Sequence, residues 1–172
     1  MRRFGGTVYF GNPARVEVLR AAGAEQARLL VVLVDDTDEA LQVIDIARRY
    51  FPHLVIYARA RNRQHVYQLM DRGVTNIVRE TFFSSLRMAE TILTGLDLPA
   101  EAARRAVHLF REHDERTLME THAIHHDEKQ LIQSAHQAAE ELATLFEADL
   151  EADEGQSIEG GTDDDVSCRL KQ

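Results

Sequence analysis

Two arginines, Arg59 and Arg61, stand two residues apart in "VIYARARN", at the end of an apolar, β-prone run. Side chains at i and i+2 of a strand share a face. Both guanidinium groups are therefore expected on one side of the strand's carboxyl end, where open α/β sheets bind ligands. Forked donors of this kind suit anions that accept in pairs, carboxylates or phosphates. Pairing with nearby acids, Asp35, Asp36 or Glu80, is the equally open alternative. Arg79, just past the next apolar run, is a further candidate, with pairing to Glu80 or to a helix end as its alternative.

The other chemistry-bearing groups point less far. The acidic pair Asp35-Asp36 has the composition that holds Mg²⁺ in response-regulator receiver domains. A receiver also needs an aspartate at the end of a later strand and a lysine after another, yet "VIYARAR" ends in arginines and no lysine precedes Lys129. Capping of the following helix accounts for the pair more simply. His122 and His126 are four apart, a metal-ligand spacing on a helix, and His125 stands beside them. No cysteine is near and no His-Glu-x-x-His occurs, while Asp127 can simply cap the next helix. Ser84-Ser85 have no evident base and suit a helix N-terminus, and no Gly-x-Ser-x-Gly elbow exists, so nothing supports a hydrolase. Nor does "GGTVYFG" have the Gly-x-Gly-x-x-Gly spacing with which a dinucleotide fold holds a pyrophosphate.

Charge and composition bound the classes further. The 172 residues are 44% apolar, enough for one domain with a buried core and a tail. Of the formal charge of −9, a net −7 lies from Glu147 onward, leaving −2 for residues 1–146. A body so nearly neutral, with Lys129 its one lysine, has no basic face for nucleic acid. The tail "EADEGQSIEGGTDDDVSCRLKQ", residues 151–172, is acidic and poor in apolar residues, and is expected to be disordered. It carries the sole thiol, Cys168, which excludes an internal disulfide and suits a reducing compartment. No apolar run approaches the ~18 residues that cross a bilayer, so the chain as written is expected in the cytoplasm.

The elements that must position these groups alternate. Residues 7–11, 28–34, 54–58 and 74–78 are β-rich, and 28–34 is apolar enough to be buried on both faces of a parallel sheet. Asn12 is expected to cap a helix that Pro13 opens and Gly23 closes. Asp36 and Glu39 have capping-box-like spacing before a helix with Leu41, Ile44 and Ala47 on one face, which Pro52 stops. Asn62 is expected to cap a helix to Asp71, with Gly73 ending it, and Thr81 a helix to about Leu93. Such alternation implies βαβ units, hence a partial Rossmann-like parallel sheet with helices on both faces. Beyond Pro99 come two long helical stretches, 100–122 and 127–150, the second with a stripe of Leu131, Ala135, Ala138, Leu142 and Leu145. The organisation read from this is an α/β domain over 1–96, a helical extension over 97–150, and the acidic tail.

At this level of detail the residues resemble a known family. "AGAEQA", "FPHLVIYARARNRQH", "GVTNIVRETF" and the helical "FREHDERTL", in this order, are similar to the C-terminal regulatory domain, called KTN or RCK, of Kef-type glutathione-regulated potassium efflux systems. The resemblance runs from about Arg2 to Leu150. It implies a membrane antiporter exchanging K⁺ for H⁺, gated at its cytoplasmic face by a Rossmann-like dimer. That dimer binds a nucleotide, NAD(H) or AMP, and senses glutathione and its conjugates. On this sequence the candidate nucleotide or glutathione contacts are Asn12, Asp35, Arg59, Arg61 and Arg79, and the implied homodimer forms through helices, with Phe82, Leu86, Ala89 and Leu93 at helical spacing.

Two departures modify these expectations. The family's Gly-Asp-Ala-Thr reads here Gly11-Asn12-Pro13-Ala14, so the usual carboxylate contact is lost. The membrane domain and the first two strands with their phosphate loop are not in the sequence, which reads as starting partway through the regulatory domain. In the sheet order 3-2-1-4-5-6, residues 7–11 would be the third strand, left without a neighbour, and 28–34 an exposed Val- and Leu-rich edge. Tight nucleotide binding by this chain is therefore not expected. The functional expectation is a ligand-sensing, non-catalytic module of a potassium efflux system. The alternatives are a fragment of a soluble NAD-dependent oxidoreductase, and a free-standing adaptor that dimerises with a full-length transporter subunit.

Overall fold

A computed structural model describes residues 7–159. The chain divides between Arg87 and Met88 into two compact units.

The first unit is a three-stranded parallel sheet, β1 (Leu29–Val32), β2 (Val55–Ala60) and β3 (Asn76–Arg79), in the order β1-β2-β3. Register pairs Val31 with Tyr57 and Tyr57 with Asn76. Helices α2 (Thr37–Tyr50) and α3 (Arg63–Asp71) connect the strands, and the short α1 (Val16–Ala21) precedes β1. Both helix starts are built by side chains as the spacing predicts. The Asp36 carboxylate accepts the Glu39 N–H at 2.8 Å, and the Asn62 side-chain oxygen accepts the His65 N–H at 2.9 Å. Gly73, at φ +71, takes the left-handed conformation that ends α3 at little steric cost.

The core lies on one face of this sheet. Val32, Ile56, Ala58 and Ala60 are buried with Ala40, Leu41, Val43, Ile44 and Ala47 of α2 and Val66 and Leu69 of α3. The other face carries Leu29, Val31, Leu33, Val55, Tyr57 and Val78, all exposed. Burial of the β1 run on both faces, and helices on both faces, are thus corrected. The crossovers β1-α2-β2 and β2-α3-β3 step in the same direction, and right-handed connections then put both helices on the same side. Residues 7–10 are corrected as well. They form no strand and are exposed, because no neighbouring strand among the described residues takes up their backbone groups. The helix expected from Pro13 begins only at Val16. Asn12 instead accepts the Ala14 N–H at 2.7 Å, a local turn that competes with helix initiation.

A smaller cluster anchors α1. Leu19 and Ala24 pack with Phe51 and Leu54, flanked by Val16, Ala27, Leu30 and Ile46. Two polar ties fasten α3 to α2: Arg72 to the Asp45 carboxylate at 2.9 Å and Arg48 to the Gly73 carbonyl at 2.6 Å.

Helix α4 (Phe82–Gly95) leads from the first unit into the second, which continues with α5 (Ala100–Thr121), a 3-10 turn (His122–Ile124) and α6 (Glu128–Glu159). Thr81, before α4, has φ 63, an unusual conformation for a β-branched residue. Its carbonyl accepts the Ser84 hydroxyl at 2.7 Å, which places Ser84 at the helix N-terminus as expected. α5 packs on α6, and buried His113 donates its Nε2–H to the Ala138 carbonyl at 2.8 Å. Leu131, Ala138, Leu142 and Leu145 are half-buried, whereas Ala135 of the expected stripe is exposed. α6 continues to Glu159, past the expected start of the disordered tail at 151; the remainder of that tail, 160–172, lies outside the described residues.

Candidate functional site

The carboxyl ends of the three strands bring the candidate residues together. β1 is followed by Leu33, Val34, Asp35 and Asp36; β2 ends on Arg59 and Ala60; β3 ends on Arg79, with Glu80 next. Parallel pairing puts these ends side by side, Arg59 opposite Val78 and Ala60 opposite Arg79.

The two central arginines differ in kind. Arg59 lies within β2 and is half-buried, with its side chain 28% exposed. Its Nη2 donates to the Leu33 carbonyl at 3.0 Å and to the Asp35 carboxylate, and its Nη1 lies 3.7 Å from the Glu80 carboxylate. One guanidinium thus ties the end of β1 to the end of β3. Asp35 is almost fully exposed, so the pair adds little stability, and its effect is to set geometry. Arg61 stands one residue beyond β2, is exposed, and has no ion-pair partner among the described residues. Its backbone N–H donates to Nδ1 of His65 at 3.2 Å, which holds the turn from β2 into α3. The strand-period expectation placed both arginines as a pair; β2 ends between them, and the turn gives each its own environment.

Arg79 lays its guanidinium over the Phe82 ring, 3.5 Å from the centroid, joining the end of β3 to the start of α4. Asn12 is exposed, and its side chain is engaged with Ala14, so none of its hydrogen bonds reaches the arginines. Asp36 is committed to capping α2.

His65 escaped sequence reasoning. It is 2% exposed, its ring faces back to Arg61, and its Nε2 has no partner among the described residues. Burial and the Arg72 guanidinium hold its pKa below the ordinary 6.5. The available signal was spacing: His65 stands three residues after Asn62, where a capping box carries Glu or Gln. In the second unit, the histidine cluster occupies the 3-10 turn and the residues after it. The His122 and His125 rings stack at 5.5 Å, and those of His125 and His126 lie 3.7 Å apart. Because a 3-10 turn intervenes, His122 and His126 do not have the helical i, i+4 relation. Asp127 accepts the N–H groups of Lys129 and Gln130 at 3.0 and 3.1 Å and so caps α6.

Comparison with known proteins places this arrangement. Residues 1–80 match the TrkA-N domain, and residues 84–164 match the potassium efflux system KefB C-terminal domain. The C-terminal domain of Kef from Shewanella denitrificans, solved in an AMP-bound form, is 41% identical. The match covers 69% of this chain and 75% of that one, with a TM-score of 0.67. This chain belongs to the Kef-type RCK/KTN domains. As a Kef-type domain it is a regulatory module of potassium efflux, on a Rossmann-like sheet with a helical extension. Among the described residues, no helix of this Kef-type domain is long and apolar enough to cross a membrane.

Proposed function

We propose that this Kef-type domain senses an anionic effector of the glutathione class at the carboxyl end of its sheet and gates a membrane K⁺/H⁺ antiporter, without catalysis of its own. The observation that carries the proposal is the contrast between the two arginines. Arg59 is consumed in cross-linking strand ends, whereas Arg61 presents an exposed guanidinium with no ion-pair partner among the described residues beside that cross-link. A peptide with two carboxylates, such as glutathione, matches a forked donor. In this reading Arg59, Asp35 and Arg79, at the same strand ends, are further candidates beside Arg61, and Asn12 has the outlying place. In this reading the module works at the cytoplasmic face of the membrane, as a homodimer through its helices, with the antiporter domain or a full-length transporter subunit as partner.

Arg61→Ala tests this directly. Losing a charge-assisted bidentate contact costs about 1.5–3 kcal/mol, roughly ten- to hundredfold in affinity. Calorimetric titration with glutathione and an S-conjugate should show that loss, with an unaltered circular dichroism spectrum. Binding left intact when Arg61 and Arg59 are both alanine would return the arginines to a purely structural role.

Nucleotide is expected to behave differently. The Shewanella domain was solved with AMP. This sequence has no Gly-x-Gly-x-x-Gly to supply backbone donors for phosphates, and Asn12 replaces the family's acid. AMP and NAD(H) should therefore bind this chain more weakly than ~1 mM, about −4 kcal/mol. Saturable micromolar binding in the same calorimeter would contradict that.

A further inference from the structure

We infer that His65 is a positioning residue for Arg61 and holds the β2–α3 turn only while its imidazole is unprotonated. The inference deepens the effector reading above and depends on it for its consequence, though not for its test.

The turn is closed from both sides. Asn62 accepts the His65 N–H, and the His65 ring folds back so that Nδ1 accepts the Arg61 N–H. This is the reciprocal logic of a capping box, with imidazole in the place of Glu or Gln. An accepting Nδ1 requires the neutral tautomer with its proton on Nε2. That Nε2–H is buried and meets no acceptor among the described residues, so among them the ring is held through Nδ1.

A second proton has nowhere favourable to go. It would settle on Nδ1, where the Arg61 N–H already points, and set donor against donor. It would also place positive charge in the first turn of a helix, against the macrodipole. The charged neighbours offer no relief. Just past the end of its own helix, Arg72 opposes a cation on the ring and is paired with Asp45 of α2. α2 also brings Arg48, which is bound to the Gly73 carbonyl. On β2, Arg59 alternates with buried Ala58 and Ala60 and so leaves from the opposite face of the sheet, and Arg79 at the end of β3 is laid over Phe82. Among the described residues, no carboxylate is hydrogen-bonded to the ring.

Linkage fixes the sign. With the folded pKa below 6.5, the unfolded chain binds more protons in the window between the two values. The stability associated with His65 is complete above 6.5 and is lost as pH falls through the folded value. Loosening of the turn in that window would free Arg61 from its position and weaken its grip on an anion. Acidification would thereby be read at the effector site.

Nuclear magnetic resonance on the full chain tests this without any effector. Ring nitrogen shifts should report the Nε2–H tautomer near neutral pH. Protection of the Arg61 amide, relative to an unstructured peptide, should fall roughly tenfold as the ring titrates. His65→Gln keeps an acceptor that does not titrate and should hold the Arg61 amide protected across the same range; His65→Ala should leave it unprotected throughout. An Nδ1–H tautomer, or Arg61 protection indifferent to His65 titration, would overturn the inference. Were His65→Ala not to fold, a pH profile for His65→Gln identical to the unsubstituted chain's would overturn it equally. Glutathione titrations at both ends of the range form a separate arm. If Arg61→Ala leaves affinity unaltered the effector reading fails, while the amide and ring measurements still decide the role of His65.

Discussion

Phe51→Ala is expected to destabilise the α/β unit by about 3–5 kcal/mol, the usual cost of emptying a buried phenylalanine site. Phe51 is 2% exposed and is among the largest fully buried side chains. It touches the cluster that holds α1, and α1 has only six residues, too few to be stable by itself. Its backbone also closes α2, donating to the Ala47 carbonyl at 2.8 Å before Pro52. Domains of this size have about 5–15 kcal/mol in hand, so the loss is a large share. Urea unfolding should show it as a lower midpoint. Amide exchange should rise first in α1 and least in α3, which does not share the cluster. A change under about 1 kcal/mol, or uniform exchange across the unit, would mean that the cluster is not what fixes α1.

Ile92→Asp is expected to abolish the proposed homodimer through helices, with at least a hundredfold rise in its dissociation constant, the cost of an uncompensated carboxylate in a desolvated contact. For the proposed contact the exposed face of α4 is the candidate. Leu86 is buried, while Met88, Ile92 and Leu96 are 64%, 54% and 73% exposed at four-residue spacing, one apolar stripe. Solvent-exposed stripes of this kind are the usual mark of a partner helix. Sedimentation of the unsubstituted chain should show a dimer or larger, and of Ile92→Asp a folded monomer. Comparison with the chain truncated after Leu96 divides the contact between α4 and the long helices. A well-folded monomer in every case would remove dimerisation through helices from the proposal.

Local physics was legible in the residues themselves. Asp36 and Asn62 cap helices, Pro52 and Gly73 end them, and Asp127 starts α6, because each of these is an interaction among neighbours in the chain. The parallel order of strands followed from alternation, and the family from ordered motifs. What the residues could not tell is whatever depends on partners distant in the chain. The run 28–34 is equally apolar whether one face or two is covered; the direction of successive crossovers decided for one. Residues 7–10 are strand-like in composition, and the lack of an adjacent ladder among the described residues left them unpaired.

The site divides along the same line. Two arginines two residues apart are alike in sequence. Where β2 ends made Arg59 a cross-link between Leu33, Asp35 and Glu80 and left Arg61 exposed, held among the described residues through its backbone N–H. His65 had the spacing of a capping box, but its role was invisible until the fold buried the ring against the Arg61 N–H. Chain neighbours determined where helices begin and end; burial and the approach of separate strand ends decided which charges are spent on structure and which remain exposed.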